Sequence, residues 1–314
     1  MSYYNKIYII ANPHAACGMV RRELPYILDY IRKTEFEVFV QLTRKKMHAC
    51  HIAQQAVEKG ARCLVSVGGE GTFNEIVNGV LTAATNPKFR PDLVMIPIGT
   101  GTDFSRTLHL PKDYREAADL ISEGVTKLID VGKIVFNTHN RVWQRYFVNA
   151  FDVGLGGNVV RIANNVPKNL GGFLTFLLSS LIALTSFKPL RLRIYIDRKF
   201  IDEGLMTIVG ALNGQYFGGG MHAAPTASPD DGVFEFIYVK ETNIFKIVSE
   251  ILTKVYEGKH LGYHNVYHYR GKGLTIESDR AFLADVDGEE EKAHRATVSI
   301  MPKAVSMKVP GPVE

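Results

Sequence analysis

The chain has 314 residues, 46% hydrophobic and 22% charged, which is enough apolar material for one large or two ordinary cores and is not the composition of a disordered chain. A formal charge of +5 favours acidic partners such as nucleotides or an anionic membrane surface without selecting among them. Cys17, Cys50 and Cys63 are an odd set without zinc-ligand spacing, which argues against a disulfide framework or structural zinc and fits a reducing cytoplasm.

The opening MSYYNKIYIIANP carries an apolar run too short for a signal-peptide core. Ile7–Ile10 reads as a buried strand closed by the turn Asn12-Pro13, after which Leu24, Ile27, Leu28 and Ile31 recur at helical spacing. Glu37–Thr43 alternates as a second strand, and a helix is predicted over 47–59, stopping at Gly60. Cys63–Val67 is a third strand that runs into Gly68-Gly69-Glu70-Gly71-Thr72. Phe73, Ile76, Val77, Val80 and Leu81 then mark one buried helix face. Leu93–Ile98 is a fourth strand, closed by a second glycine-rich turn that ends at Asp103-Phe104. Strands alternating with helices predict a mostly parallel sheet covered on both faces, with ligands beyond the carboxyl ends of its strands.

After Asp130-Val131-Gly132 the pattern changes. Strands are predicted at 145–152, 190–197, 205–212, 232–239, 266–269, 273–277, 281–285 and 297–302, which makes a β-rich, sandwich-like second domain. The predicted division is 1–133 for the α/β domain and 134–302 for the β-rich one, with 303–314 as a candidate last strand returning to the first. The apolar stretch Phe173–Phe187 is shorter than the ~20 residues of a spanning helix and holds Thr175, Ser179, Ser180, Thr185 and Ser186, so it reads as a core or groove-lining helix.

A Gly-Gly-x-Gly-Thr turn between a strand and a helix lets the backbone approach an anion at the helix N-terminus, although the same glycines also suit a tight turn that binds nothing. Asn12-Pro13 and the 98–104 turn close neighbouring strands at the same edge. A GxxxxGK[ST] loop, the third glycine of GxGxxG and the protein-kinase motifs are all missing. Taken alone, DVDGEE at 285–290 reads as a solvated acidic turn and Asp231-Gly232 as a hairpin turn. His48 with His51, and His264 with His268, read as surface or core histidines without carboxylate partners. Lys188, Arg191, Arg193, Arg198 and Lys199 form a basic run that suits either a solvated strand face or anionic headgroups, and Lys168 beside Gly171-Gly172 is a further candidate phosphate contact.

In order along the chain, ANP at 11–13, GGEGTFNE at 68–75, PIGTGTDF at 97–104, IDVG at 129–132, PTASPDDGVFE at 225–235 and DVDGEE at 285–290 resemble the diacylglycerol kinase catalytic family. Its superfamily takes in bacterial lipid kinases, sphingosine and ceramide kinases, and NAD kinases. The resemblance implies ATP and Mg²⁺ as cofactors, with nucleotide contacts at Asn12, Pro13, Thr43, Gly68, Gly69, Glu70, Gly71, Thr72, Asn74 and Thr100. Glu70, Asp103 and Asp130 would organise the metal and its waters, and Asp287 or Glu289 would accept the proton of the attacking hydroxyl. A second, structural Mg²⁺ is implied at Ser228, Asp231 and Val233. Glu70 departs from the usual Asp and Thr102 from the usual Asn, which bears on rate more than on nucleotide binding.

What the resemblance implies is a two-domain cytoplasmic kinase that phosphorylates a lipid hydroxyl in the cleft between its domains, with diacylglycerol as the leading acceptor. It implies peripheral association with the membrane surface and no nucleic acid, and it leaves a homodimer open. Two alternatives stand beside it: an NAD kinase-like enzyme, against which GTGTDF argues, and a nucleotide-binding membrane sensor that has lost turnover.

Overall fold

The computed structural model describes residues 5–83, 90–99, 102–165, 178–180, 182–183, 187–241 and 253–311. The chain forms two compact units, residues 1–129 with 303–314, and residues 130–302.

The first unit runs β1 (Lys6–Ala11), α1 (Ala15–Arg32), β2 (Glu37–Leu42), α2 (His48–Glu58), β3 (Cys63–Gly68), α3 (Glu70–Thr82), β4 (Asp92–Pro97), α4 (Asp103–Thr107) and α5 (Tyr114–Glu123). β1 pairs in parallel with β2 and β3, and β3 with β4. Ser306 and Met307 of the last strand add to β4, also in parallel, so the end of the chain does return to this unit. All six residues of central β3 are buried, as a strand covered on both faces requires, whereas edge strand β2 alternates. The helices bury Val20, Leu24, Ile27 and Ile31 from α1, and Phe73, Ile76 and Val77 from α3. A Cβ on Gly79 would stand 2.2 Å from the Cys50 carbonyl oxygen, so α2 and α3 meet backbone to backbone. Helix α5, which the sequence analysis passed over, starts at Asp113, whose side chain accepts the Arg115 and Glu116 amides.

The second unit holds most of β5 (Val125–Asn137) and then β6 (Val142–Phe147), β7 (Ala150–Gly154), α6 (Leu155–Asn165), β8 (Leu190–Ile196), β9 (Lys199–Leu212), β10 (Phe234–Lys240), β11 (Val266–Gly271), β12 (Gly273–Val286) and the first part of β13 (Glu289–Val309). Its described ladders are antiparallel: β5–β6, β7–β9, β7–β12, β8–β9, β8–β12, β9–β10, β10–β11 and β12–β13. Phe147, Phe151, Phe234, Phe236 and Phe282 fill its core. Gly132 makes room for this packing, since a Cβ there would fall 1.9 Å from a Phe147 ring carbon.

Three predicted strands need correction. The run at 145–152 breaks at Val148–Asn149 into β6 and β7, because the amides there turn to a side chain instead of a ladder. The strands at 273–277 and 281–285 are one, β12, with a register irregularity between Glu277 and Phe282. Strand β5 was also passed over in the sequence analysis; it runs through Asp130-Val131-Gly132, and the division between the two units falls within it, between Ile129 and Asp130. The predicted helix at 173–187, Lys168 and Thr100 fall wholly or largely outside the described residues. Among the described residues, no helix is long and apolar enough to cross a membrane.

Candidate functional site

In the first unit the site is built where β1, β3 and β4 end. The Asn12 amide donates to Val67 O at 3.1 Å, tying the end of β1 to β3, and its side-chain oxygen accepts the His14 amide at 3.1 Å. This Asx turn leads into Ala16, Cys17 and Gly18, all with left-handed φ (50°, 55° and 84°) before α1 becomes regular. The Thr43 amide donates to Ala11 O at 2.9 Å, placing this buried threonine beside the Asn12 turn. Ile98 N–H donates to Gly68 O at 3.0 Å, and a Cβ on Gly99 would reach within 3.7 Å of Gly69 Cα, so the two glycine turns lie side by side. The sheet edge thus brings together Asn12, Pro13, Thr43 and Gly68–Thr72.

Helix α3 starts immediately beyond Gly69, whose carbonyl accepts the Thr72 and Phe73 amides at 3.1 and 3.3 Å, and the positive end of the helix dipole at this terminus is attractive to an anion. Glu70, its first residue, accepts the Phe104 amide and, at 3.4 Å, the Ser105 amide. It therefore ties the β3 turn to the start of α4, where Asp103 is buried. Asn74 is fully buried, and its side-chain oxygen and carbonyl accept from Asn78 Nδ2 at 3.0 and 2.9 Å. Sequence reasoning missed two features here. Glu75 accepts the Met47 and Ala49 amides at 2.7 and 3.0 Å and so fixes the start of α2. The exposed run Arg44-Lys45-Lys46 follows Thr43 directly, and its signal was the charge run itself.

The second unit carries the remaining predicted residues. Asp130 is fully buried; its Oδ2 accepts the Gly232 amide at 2.7 Å, its own amide donates to Pro229 O at 2.7 Å, and its carbonyl accepts from Asn213 Nδ2 at 2.9 Å. Asp130 is thus a clasp on the 228–233 turn. In that turn Ser228 Oγ donates to Asp230 at 2.6 Å, while Asp231 accepts the Val233 amide on Oδ1 at 3.1 Å and Arg270 Nη2 on Oδ2 at 2.5 Å. Arg270 Nε also lies 3.0 Å from Oε1 of buried Glu235, and His268 bonds the other Glu235 oxygen. His268 therefore does have a carboxylate partner, contrary to expectation; the two meet across the β10–β11 ladder, which sequence spacing does not show.

The β12–β13 hairpin turns at Asp287 and Gly288, with φ of 49° and 87°, the two-residue turn that Asp-Gly favours. Asp287 reaches back to β7: Oδ2 accepts the Val148 amide at 2.7 Å, and Oδ1 accepts the Asn149 and Ala150 amides at 3.1 and 2.8 Å. Half-buried Glu289 follows as the first residue of β13. The turn thus carries two acids with different surroundings, one of them bound by three backbone donors.

Comparisons with known proteins agree with this layout. Residues 6–134 match the diacylglycerol kinase catalytic domain model, and residues 149–309 match the YegS C-terminal NAD kinase beta sandwich-like domain model. A diacylglycerol kinase of Staphylococcus saprophyticus is 32% identical over 90% of this chain and 88% of its own length. One from Staphylococcus epidermidis is 33% identical over 90% and 84%. A crystal structure of a putative diacylglycerol kinase from Bacillus anthracis superposes with a TM-score of 0.77 at 25% identity, covering 98% of this chain and 96% of that one. Yeast NADH kinase, solved with NADH, shares the fold at a TM-score of 0.59 and 12% identity, covering 98% and 84%.

Proposed function

Because the chain belongs to the diacylglycerol kinase family, we propose that it is an ATP-dependent lipid kinase that moves the γ-phosphate onto a lipid hydroxyl, with diacylglycerol as the leading acceptor and phosphatidic acid as product. The observation that carries this reading is the meeting of the Asn12 turn, Thr43 and the Gly68–Thr72 turn at one edge of the first unit. Transfer of labelled phosphate from Mg-ATP to a lipid panel, with NAD in parallel, tests it.

In this reading the ends of β1 and β3 hold the nucleotide through Asn12, Pro13, Gly68, Gly69, Glu70, Gly71, Thr72 and Asn74, joined by Thr43 and Thr100. Arg44, Lys45 and Lys46 add positive charge beside the polyphosphate. Phosphoryl transfer needs placement and charge neutralisation more than covalent help from the protein. Mg²⁺ bound with ATP supplies that neutralisation, and Glu70, Asp103 and Asp130 are the carboxylates proposed to organise it. Their present partners divide the work. Asp103 stands at the start of α4, Glu70 positions it by holding the neighbouring amides, and Asp130 braces the 228–233 turn.

Of the two candidate bases we assign the role to Glu289. Three N–H donors on Asp287 stabilise its carboxylate and weaken it as a proton acceptor, so Asp287 holds the turn from which Glu289 acts.

The proposed Mg²⁺ site at Ser228, Asp231 and Val233 meets a competitor. A guanidinium already balances Asp231, so a divalent ion bound through that carboxylate has to displace Arg270. The expected result is a melting temperature that responds weakly to Mg²⁺ in the wild type and more strongly in Arg270→Gln; a strong wild-type response abolished by Asp231→Asn would restore the ion.

Membrane-surface presentation and a cytoplasmic location complete the proposal. Arg191 and Arg193 are committed to Glu203 and Asp279 at 2.9 and 2.8 Å, which leaves exposed Lys188, Arg198 and Lys199 as the cations of the basic run suited to anionic headgroups. Co-sedimentation with anionic but not neutral vesicles checks this, and sedimentation velocity checks for the homodimer.

A further inference from the structure

Beside the Asp287 turn, two more acids face each other. Asp152 on β7 and Asp285 on β12 are register partners in an antiparallel pair, which places their Cβ atoms roughly 5 Å apart on one face of the sheet. They are 2% and 3% exposed. Asp285 Oδ1 accepts the Gly288 amide at 2.6 Å, a direct link to the turn that presents Glu289. Both Asp152 oxygens are buried without a hydrogen-bond partner of good geometry. The first turn of α6 closes over them: a Cβ on Gly156 would fall 2.2 and 2.3 Å from these oxygens, so only glycine permits the closure.

Two carboxylates opposed in such a place cannot both carry charge, and a shared proton lets one donate to the other. The surroundings favour that state. Burial pushes the Asp152 carboxyl up to about 7, with the nearby Gly157 and Gly156 amides drawing it back. Asp285 is driven well above the usual carboxylate range by burial and then by Asp152; the Gly288 amide opposes this, and Asp287 and Glu289 add to it. From β13, Glu290 stands opposite Asp285, with exposed Lys292 two residues on. β9 presents Gly210 opposite Asp152, and α6 contributes only the exposed Arg161.

We infer that Asp152 and Asp285 share one proton and act as a positioning pair, holding the Asp287-Gly288-Glu289 turn in its working geometry and loosening it when that proton is lost. The inference rests on the assignment of Glu289 as base. The sign of the linkage is fixed. From the ordinary value of 3.8 up to about 7 the folded pair keeps a proton that the unfolded chain has released, so stability falls as pH rises through that window. An asparagine at 152 presents a permanent N–H to Asp285 and removes the dependence.

The test measures melting temperature and turnover of Mg-ATP with diacylglycerol in mixed micelles, across pH about 5 to 9, for the wild-type chain, Asp152→Asn and Asp285→Asn. Wild-type kcat is expected to drop roughly tenfold per pH unit above neutrality while Asp152→Asn stays level, and the melting temperature of the variant relative to wild type should rise as pH climbs toward about 7 and level off above it. Superimposable melting curves against pH, or the same alkaline loss of rate in both, would overturn the pair. If no chain transfers phosphate, the kinase reading falls, and the melting curves still decide on the pair. Asp285→Asn keeps an acceptor for the Gly288 amide and serves if Asp152→Asn does not fold.

Discussion

Glu289→Gln is expected to lower kcat by about 10²–10⁴-fold while leaving ATP affinity within about twofold of wild type. The substitution keeps the length and shape of a side chain that begins β13 and removes only its capacity to take a proton. Nucleotide contacts are assigned to the first unit, so the loss belongs in the transfer step. Equilibrium binding of an ATP analogue beside steady-state kinetics checks this, and a parallel loss of binding and turnover would contradict the assigned role.

Asp287→Ala is expected to act on stability instead. It leaves the amides of Val148, Asn149 and Ala150 without their acceptor, and these residues are only 1%, 5% and 2% exposed. At about 1–3 kcal/mol for each buried donor, discounted because some would recover water, the sum is about 3–5 kcal/mol. That is a substantial part of the roughly 5–15 kcal/mol that holds a typical domain folded, and it corresponds to a fall in melting temperature of roughly 10 °C. Asp287→Asn should be milder, because its oxygen still accepts while its amide faces a donor. Thermal melts separate these cases; an Asp287→Ala chain that melts like wild type and has merely lost turnover would make Asp287 the base.

The first unit was legible because its physics is local. Cys63–Gly68 is apolar on both faces, Asn12-Pro13 and Gly68-Gly69 break the chain where strands must end, and Phe73, Ile76 and Val77 repeat at helical spacing. The Asp287-Gly288 turn was equally visible as an acidic turn. The division of labour inside it was not, because the partners of Asp287 lie 137 to 139 residues earlier in the chain. The same reason hid the Arg270 bond to Asp231, the His268 bond to Glu235 and the opposition of Asp152 to Asp285, each joining residues far apart in the chain. Strand β5 was lost for another cause: Asp130 and Gly132 are poor strand formers, yet one clasps the 228–233 turn and the other leaves space for Phe147. Helix α6 was missed because Gly156 and Gly157 weaken its first turn, where close packing against Asp152 and Leu283 excludes any side chain.

The measurement that bears most directly on the whole account is transfer of labelled γ-phosphate from Mg-ATP by the purified chain to a mixed-lipid micelle panel, with NAD as a parallel acceptor and Glu289→Gln as control. The account predicts a labelled, organic-extractable product that runs with phosphatidic acid, made by the wild type and nearly absent from the variant. Labelled NADP without a lipid product, or ATP binding with no transfer to either acceptor, would contradict it, the first in favour of an NAD kinase-like enzyme and the second in favour of a nucleotide sensor.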